Sequence, residues 1–183
     1  YAAHLECGGK MVEFGGWEMP LNFPSGIIAE HLATRKYGGI FDISHMGRFR
    51  VCGKALPFLQ YVLSNNAAAL LPGQAQYTII PTPTGGAVDD AYLYRPDDKE
   101  YLLVVNAANS EKDWEWFAPF RAKFPGLVFE DHTQDIAMFS LQGPETKALM
   151  QQIAGSGKLP EPARNYLSVV EIMGKKMPVA RTG

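Results

Sequence analysis

A pair of alternating segments separated by a turn constrains the fold of this chain most strongly. Residues 88–95 and 101–106 each alternate between two kinds of side chain, and a Pro-Asp-Asp-Lys turn lies between them. This pattern is typical of two antiparallel strands joined as a hairpin. The sequence predicts a register in which Tyr94 lies opposite Leu102. A slip of one residue would move every side chain to the other face, so the register decides what the hairpin can do.

In this register, one face of the hairpin gathers groups that could form a small-molecule site. It carries a carboxylate, two tyrosines, an aliphatic side chain and an amide, namely Asp90, Tyr92, Tyr94, Val104 and Asn106. An apolar and aromatic wall with a few polar groups is typical of such sites, and tyrosines can flank a flat heterocycle. The opposite face suits a core, and Asp89 on that face is expected to matter less. The alternative is that the aspartates only shape a turn and the tyrosines are surface residues.

Composition excludes several classes of function. The chain has 183 residues, a net charge of -2, 46% hydrophobic and 20% charged residues, which is typical of an ordinary globular protein. No basic run points to nucleic acid or to an anionic membrane, and no apolar run reaches membrane-spanning length. Cys7 and Cys52 lack metal-ligand spacing and require no disulfide, so no metal site is predicted and a reducing compartment is favoured. Catalytic serine, zinc-protease and phosphate-loop motifs are missing from the sequence.

The order of predicted elements favours an α+β fold with antiparallel sheets flanked by helices. Strand patterns joined by short Gly- and Pro-containing turns alternate with a few amphipathic helices, which is unlike the regular alternation of a parallel sheet. Ser110 followed three residues later by Asp113 resembles a capping box for the helix that follows. A second hairpin is expected to turn at Gly174-Lys175. The chain starts at Tyr1 without an initiator Met and stops after a strand-like run, so a processed or fragmentary chain is expected.

Five ordered motifs resemble one known family. They are "KMVEFGGWEMP", "IIAEHLATRKYGGIFDISHMG", "QYTIIPTPTGGAVDDAYLY", "LLVVNAAN" and "LQGP". Together they resemble the aminomethyltransferase (T-protein) of the glycine cleavage system over essentially the whole chain. In that family, "ARTG" continues into a further half of the protein.

The resemblance implies a three-domain clover-leaf fold around a central folate site, of which this chain would hold the first two domains. The first domain would be split into residues 1–46 and 134–183, truncated at its C-terminal end. The second, inserted between these pieces at residues 47–133, would carry the folate-site hairpin. The C-terminal barrel and the distal folate contacts of the family would be absent, so the fragment itself could bind folate weakly or be inactive.

The resemblance also implies a reaction and its residues. The family transfers a one-carbon unit from the aminomethyl-lipoyl arm of the H-protein to tetrahydrofolate and releases ammonia. The family's essential aspartate maps to Asp90, and its folate contacts map to Met46, Tyr77, Asp90, Tyr92, Tyr94, Val104 and Asn106. The implied partners are lipoylated H-protein and folate, without nucleic acid or membrane. A monomer is expected, in the cytoplasm of a bacterium or in the mitochondrial matrix of a eukaryote.

Other folate-linked proteins share the implied fold. One alternative is a folate-dependent demethylase, or the folate domain of a dimethylglycine or sarcosine oxidising enzyme. Another is a non-catalytic folate-binding protein of iron–sulfur cluster maintenance, although that relative generally lacks the Asp89-Asp90 pair found here. A soluble α+β domain without an active site is a further alternative.

Overall fold

The computed structural model describes residues 1–160 and 165–182. Its helices are α1 (Ala2–Glu6), α2 (Ile27–Lys36), α3 (Ala55–Val62), α4 (Ser110–Arg121) and α5 (Thr146–Ile153). Its strands are β1 (Lys10–Phe14), β2 (Trp17–Asn22), β3 (Gly39–Asp42), β4 (Gly47–Gly53), β5 (Gln74–Pro81), β6 (Ala87–Arg95), β7 (Glu100–Val105), β8 (Leu127–Asp131), β9 (Phe139–Gln142), β10 (Ala154–Ser156), β11 (Tyr166–Ile172) and β12 (Lys175–Arg181). Every strand pair is antiparallel, so the α+β prediction is confirmed.

The chain forms two compact units. The first contains residues Tyr1–His45 and Ala137–Gln152, with two small sheets in which β1 pairs with β2 and β3 pairs with β9. The second contains Met46–Ile136 and Ile153–Gly183, and it holds an eight-stranded sheet of order β10-β11-β5-β6-β7-β4-β8, with β12 on β11.

The grouping of residues 153–183 differs from the expected domain division, which placed them with the first domain. The backbone explains the difference, because β11 begins beside β5. The amide of Ala75 donates to the carbonyl of Asn165, and the amide of Leu167 donates to the carbonyl of Gly73, both at 2.8 Å. The domain boundaries of a full-length protein stay a prediction.

The core of the second unit lies between one face of the large sheet and helices α3 and α4. Phe58 on α3 and Phe117 on α4 are fully buried, with ring centroids 5.9 Å apart. The sheet supplies Leu93 and Leu103, which face each other in the register and are also fully buried. Apolar positions that alternate along β6 and β7 therefore point into this core, and the intervening residues occupy the other face.

The N-terminus of helix α4 differs from the prediction made from the sequence. The predicted capping box is wrong, because Ser110 is already the first helical residue and Asn109 before it provides no side-chain cap. Asp113 is fully buried in the first turn of the helix. In the described part of the chain, no helix is both long and apolar enough to cross a membrane.

Phe58→Ala should lower the free energy of unfolding of the full-length protein by about 3–5 kcal/mol, because the truncation leaves a cavity between α3, α4 and the sheet. Urea unfolding measures this change. Leu71→Ala is the control, since Leu71 is 63% exposed and its truncation should change stability by less than about 0.5 kcal/mol. Equal losses in both variants would contradict this description of the core.

Candidate functional site

The candidate site is built on the β6–β7 hairpin, whose predicted register is confirmed. Tyr94 lies opposite Leu102 and Tyr92 lies opposite Val104. The ladder ends one pair before Asn106, which leaves β7 as the chain turns toward α4. The Asn106 side chain therefore lies just beyond the last strand pair, where it can donate hydrogen bonds to side chains of β6.

The Asn106 amide joins the two aspartates of β6. Its Nδ2 donates to Oδ1 of Asp90 at 2.7 Å and to Oδ1 of Asp89 at 3.0 Å. Asp89 therefore contacts the site through Asn106, and the expectation that it matters less than Asp90 stays a prediction. Asp89 does belong to the core face by alternation, but a side chain that sits just beyond the last strand pair can reach carboxylates from both faces.

Hydrogen bonds shift the acidity of Asp89. Burial alone would raise its pKa, but the bonds it accepts from Asn106, from the backbone amide of Asp90 and from the side chain of Asn109, together with its bond to Asp113, outweigh burial and lower the pKa. Asp89 is therefore held as a carboxylate under the end of the hairpin.

Strand β5 adds a third tyrosine beside Asp90. Tyr77 lies opposite Tyr92, and Ile79 lies opposite Asp90. A bond to the Asp90 carboxylate raises the pKa of the Tyr77 hydroxyl, so this phenol stays protonated and can donate to Asp90. Tyr77 is 53% exposed, so the ring is available to a ligand.

The two tyrosines of β6 form an aromatic pair. The rings of Tyr92 and Tyr94 have centroids 5.1 Å apart and planes inclined by 45°. Burial, and next the neighbouring Tyr92, raise the pKa of Tyr94 to about 12, so its phenol is neutral at physiological pH. The hydroxyl of Tyr92 donates to the side-chain oxygen of Asn165, which fixes the ring at the edge of the wall.

Strand β4 completes the wall and contains a residue that the sequence reasoning missed. Arg48 lies opposite Val104, is 1% exposed, and donates to the backbone carbonyls of Met46 and Thr133. It thereby ties the half-buried Met46 to the end of β4. The segment "GRFRVCG" contained a signal for Arg48. A buried strand position that carries an arginine places a charge in the sheet, and that charge needs hydrogen-bond partners.

The structure places Tyr77, Asp90, Tyr92, Tyr94 and Val104 on one face of the sheet in the second unit. Asn106 bonds to Asp90 at the end of this face, and Met46 precedes β4, where its carbonyl accepts from Arg48. Arg48 also lies on this face, and Asp89 contacts the site from the core side through Asn106. The sequence pattern assigns neither residue to the site. The face is open, because Tyr77 and Ile79 are 53% and 39% exposed. It offers aromatic surface, an apolar floor and one fixed carboxylate, which can hold a planar polar ligand and stabilise positive charge on it.

Other features of the described residues fit a chemical role less well. An apolar groove of about 150 Å³ lies beside α3 and α4, lined by Tyr61, Val62, Pro81, Thr82, Pro83, Trp116 and Phe120, and contains no carboxylate or amide side chain. Within residues 1–160 and 165–182, no group of three or more His, Cys, Asp or Glu side chains is placed to hold a metal ion.

Comparisons with known proteins agree with this architecture. The GCVT N-terminal domain family model matches residues 1–183. The aminomethyltransferase of Chlorobium luteolum is 40% identical over the whole chain and 50% of its own length, and that of Deinococcus deserti is 42% identical over the whole chain and 51% of its own length. The crystal structure of glycine cleavage system aminomethyltransferase T from Bartonella henselae superposes with a TM-score of 0.79 at 35% identity, covering 91% of this chain and 45% of that one.

The chain spans about half the length of the curated relatives it matches. The family model covers it completely, and the relatives are transferases by name. The chain therefore belongs to the GCVT N-terminal domain family, the N-terminal part of the aminomethyltransferases.

Proposed function

We propose that the protein containing this chain is the tetrahydrofolate-dependent aminomethyltransferase of the glycine cleavage system. It transfers the one-carbon unit from the aminomethyl-lipoyl arm of the H-protein to tetrahydrofolate and releases ammonia. The observation that supports this proposal best is the Asp90 carboxylate, which the Asn106 amide holds at 2.7 Å beside a tyrosine wall. The names of the matched relatives support the same reaction.

The chemistry of the wall fits a folate. A pterin is flat and has a polar edge, so it needs aromatic or apolar surfaces and a few fixed polar groups. We assign the contacts to Met46, Tyr77, Asp90, Tyr92, Tyr94, Val104 and Asn106. Val104, at 4% exposed, belongs to the floor of this surface, whereas the exposed Tyr77 can pack on the ligand directly.

Asp90 carries the proposed chemistry. When bound, tetrahydrofolate supplies the nitrogens that accept the one-carbon unit, and the lipoyl arm supplies the sulfur that releases it. Loss of ammonia builds positive charge near these groups, and a carboxylate that is already fixed in place stabilises that charge without reorganisation. Asn106 holds the Asp90 carboxylate in place, because its amide donates to Asp90 and to Asp89 at the same time.

Asp90→Asn in the full-length protein should lower the rate of methylenetetrahydrofolate formation from aminomethyl-loaded H-protein by about 10²–10³, because a preorganised charge is lost while the shape is kept. Asp98→Asn is the matched control, since Asp98 lies in the turn at the far end of the hairpin with its side chain 83% exposed. Folate binding, measured by calorimetry, should persist in both variants.

An Asp90→Asn variant as active as the Asp98→Asn control would contradict the role given to Asp90. A wild-type protein that binds folate and demethylates dimethylglycine or sarcosine, but does not accept H-protein, would replace the proposed function with a folate-dependent demethylase. Folate binding with neither activity would favour the non-catalytic protein of iron–sulfur cluster maintenance.

Asn106→Asp should destabilise the protein in a pH-dependent way. The substitution places a third carboxylate against Asp89 and Asp90, which raises the folded-state pKa of the new group above its unfolded value. The folded state then binds more protons than the unfolded state, so the variant regains stability as the pH falls. Urea unfolding should show a deficit of about 1–3 kcal/mol at pH 8 that narrows at pH 5.

Asn106→Leu provides the control for charge. It also removes the amide donor, but it adds no titratable group, so its deficit should change less between pH 5 and pH 8. The same pH dependence in both variants would show that the amide does not separate two carboxylates as described.

A further inference from the structure

A buried carboxyl group lies beneath the candidate site and has no role in the proposed reaction. Asp113 is in the first turn of α4 and is 0% exposed, whereas Glu111 and Glu115 of the same helix are exposed. An acidic side chain is almost never fully buried unless it is paired. The side chain therefore needs a specific partner, and the neighbouring groups identify it.

The partner of Asp113 is Asp89. The two carboxyl groups lie within hydrogen-bonding reach of each other. Oδ2 of Asp89 and both side-chain oxygens of Asp113 are buried and have no donor among the described residues. Two ionised carboxylates cannot bond to each other, because each only accepts. One proton between them gives both groups a partner, as a carboxylic acid next to a carboxylate.

The surroundings indicate where that proton resides. Asp89 also accepts from Asn106, Asn109 and a backbone amide, all of which favour its ionised form. Asp113 has no such donors, and the charges that act on it are the two aspartates of β6 and Lys112. The Lys112 ammonium is turned outward and donates to the carbonyl of Val88 at 2.8 Å. Burial first, and Asp89 second, raise the pKa of Asp113 to about 8.

We propose that Asp113, as a neutral acid, is a positioning residue that fixes Asp89 and thereby the Asn106 amide that holds Asp90. The contacts form a continuous chain, in which Asp113 donates to Asp89, Asn106 donates to Asp89, and the same Asn106 nitrogen donates to Asp90. The link to catalysis rests on the proposed function. The contacts themselves do not.

The proposal predicts how the stability contributed by Asp113 changes with pH. The pKa of Asp113 is raised in the folded state from 3.8 to about 8, so the folded state binds more protons than the unfolded state between these values. The stability that this group contributes is complete below pH 3.8 and is lost as the pH rises through about 8. At higher pH, two carboxylates face each other under the hairpin, and their repulsion displaces Asp89 from Asn106.

The test compares three variants of the full-length protein. In the wild type, kcat/KM should decline at alkaline pH as Asp113 loses its proton. Asp113→Asn keeps the shape and offers an N–H donor to Asp89 at every pH. It should therefore retain aminomethyl transfer within about 3-fold and show no such decline. Asp113→Ala removes the donor and should lower kcat by about 10-fold or more. Glu115→Gln, on the exposed side of α4, should keep both the rate and the pH profile of the wild type.

Infrared spectroscopy provides a readout that does not need activity. The difference spectrum between wild type and Asp113→Asn at pH 7 should contain the band of a protonated carboxyl group, and the Glu115→Gln difference should not. The unfolding temperature of the wild type should fall more between pH 6 and pH 9 than that of Asp113→Asn. Absence of the band, or an unchanged alkaline limb in Asp113→Asn, would overturn the proposal.

Failure of the proposed function is distinguishable from failure of this inference. A wild-type protein that transfers no aminomethyl group would end the proposed function and the catalytic link. The infrared band and the pH dependence of unfolding would still decide whether Asp113 is the neutral partner of Asp89.

Discussion

The antiparallel register of β6 and β7 is the constraint on which the rest of the second unit depends. With Tyr94 opposite Leu102, the alternating apolar residues of both strands face α3 and α4, and Tyr92, Tyr94 and Asp90 face the other way. The same register places Asn106 just beyond the last pair, where its amide can reach Asp90 at 2.7 Å. Core and candidate site are therefore two consequences of one alignment of strands.

The end of the hairpin is also the place where these two faces meet. Asn106 bonds one carboxylate from each face, and the carboxylate on the core side rests against a buried acid on α4. A helix that packs on the core is thereby connected to a polar group on the opposite face of the sheet. Such a connection gives the fold a means of holding Asp90 in place, which a strand end alone does not provide.

Sequence reasoning predicted those parts of the structure that depend on alternation. Strand faces follow a period of two, so the pairing of Tyr92 with Val104 and the composition of the wall could be derived from the order of residues. The full site assignment also needs the family resemblance, since Met46 precedes β4 and Tyr77 lies on β5. Pairing between distant strands depends on tertiary contacts that one sequence does not reveal.

The features that the sequence did not predict have a common physical origin. The spacing of Ser110 and Asp113 predicts a capping box from a local pattern alone, whereas the packing of α4 buries Asp113 beside Asp89. Alternation also says nothing of a side chain beyond the ladder, so it does not predict the bond from Asn106 to Asp89. Strand β11 begins beside β5, a pairing that no local pattern reveals, and the domain boundaries of a full-length protein stay a prediction. In each case, a contact distant in sequence prevailed over a local preference.

The most direct test of the central claim is a crystal structure of the full-length protein with tetrahydrofolate bound. We expect the pterin on the face formed by Tyr77, Tyr92 and Tyr94, with the Asp90 carboxylate within hydrogen-bonding distance of the folate and still bonded to Asn106. A pterin bound away from this face, or an Asp90 side chain that has left Asn106 and points away from the ligand, would contradict the account.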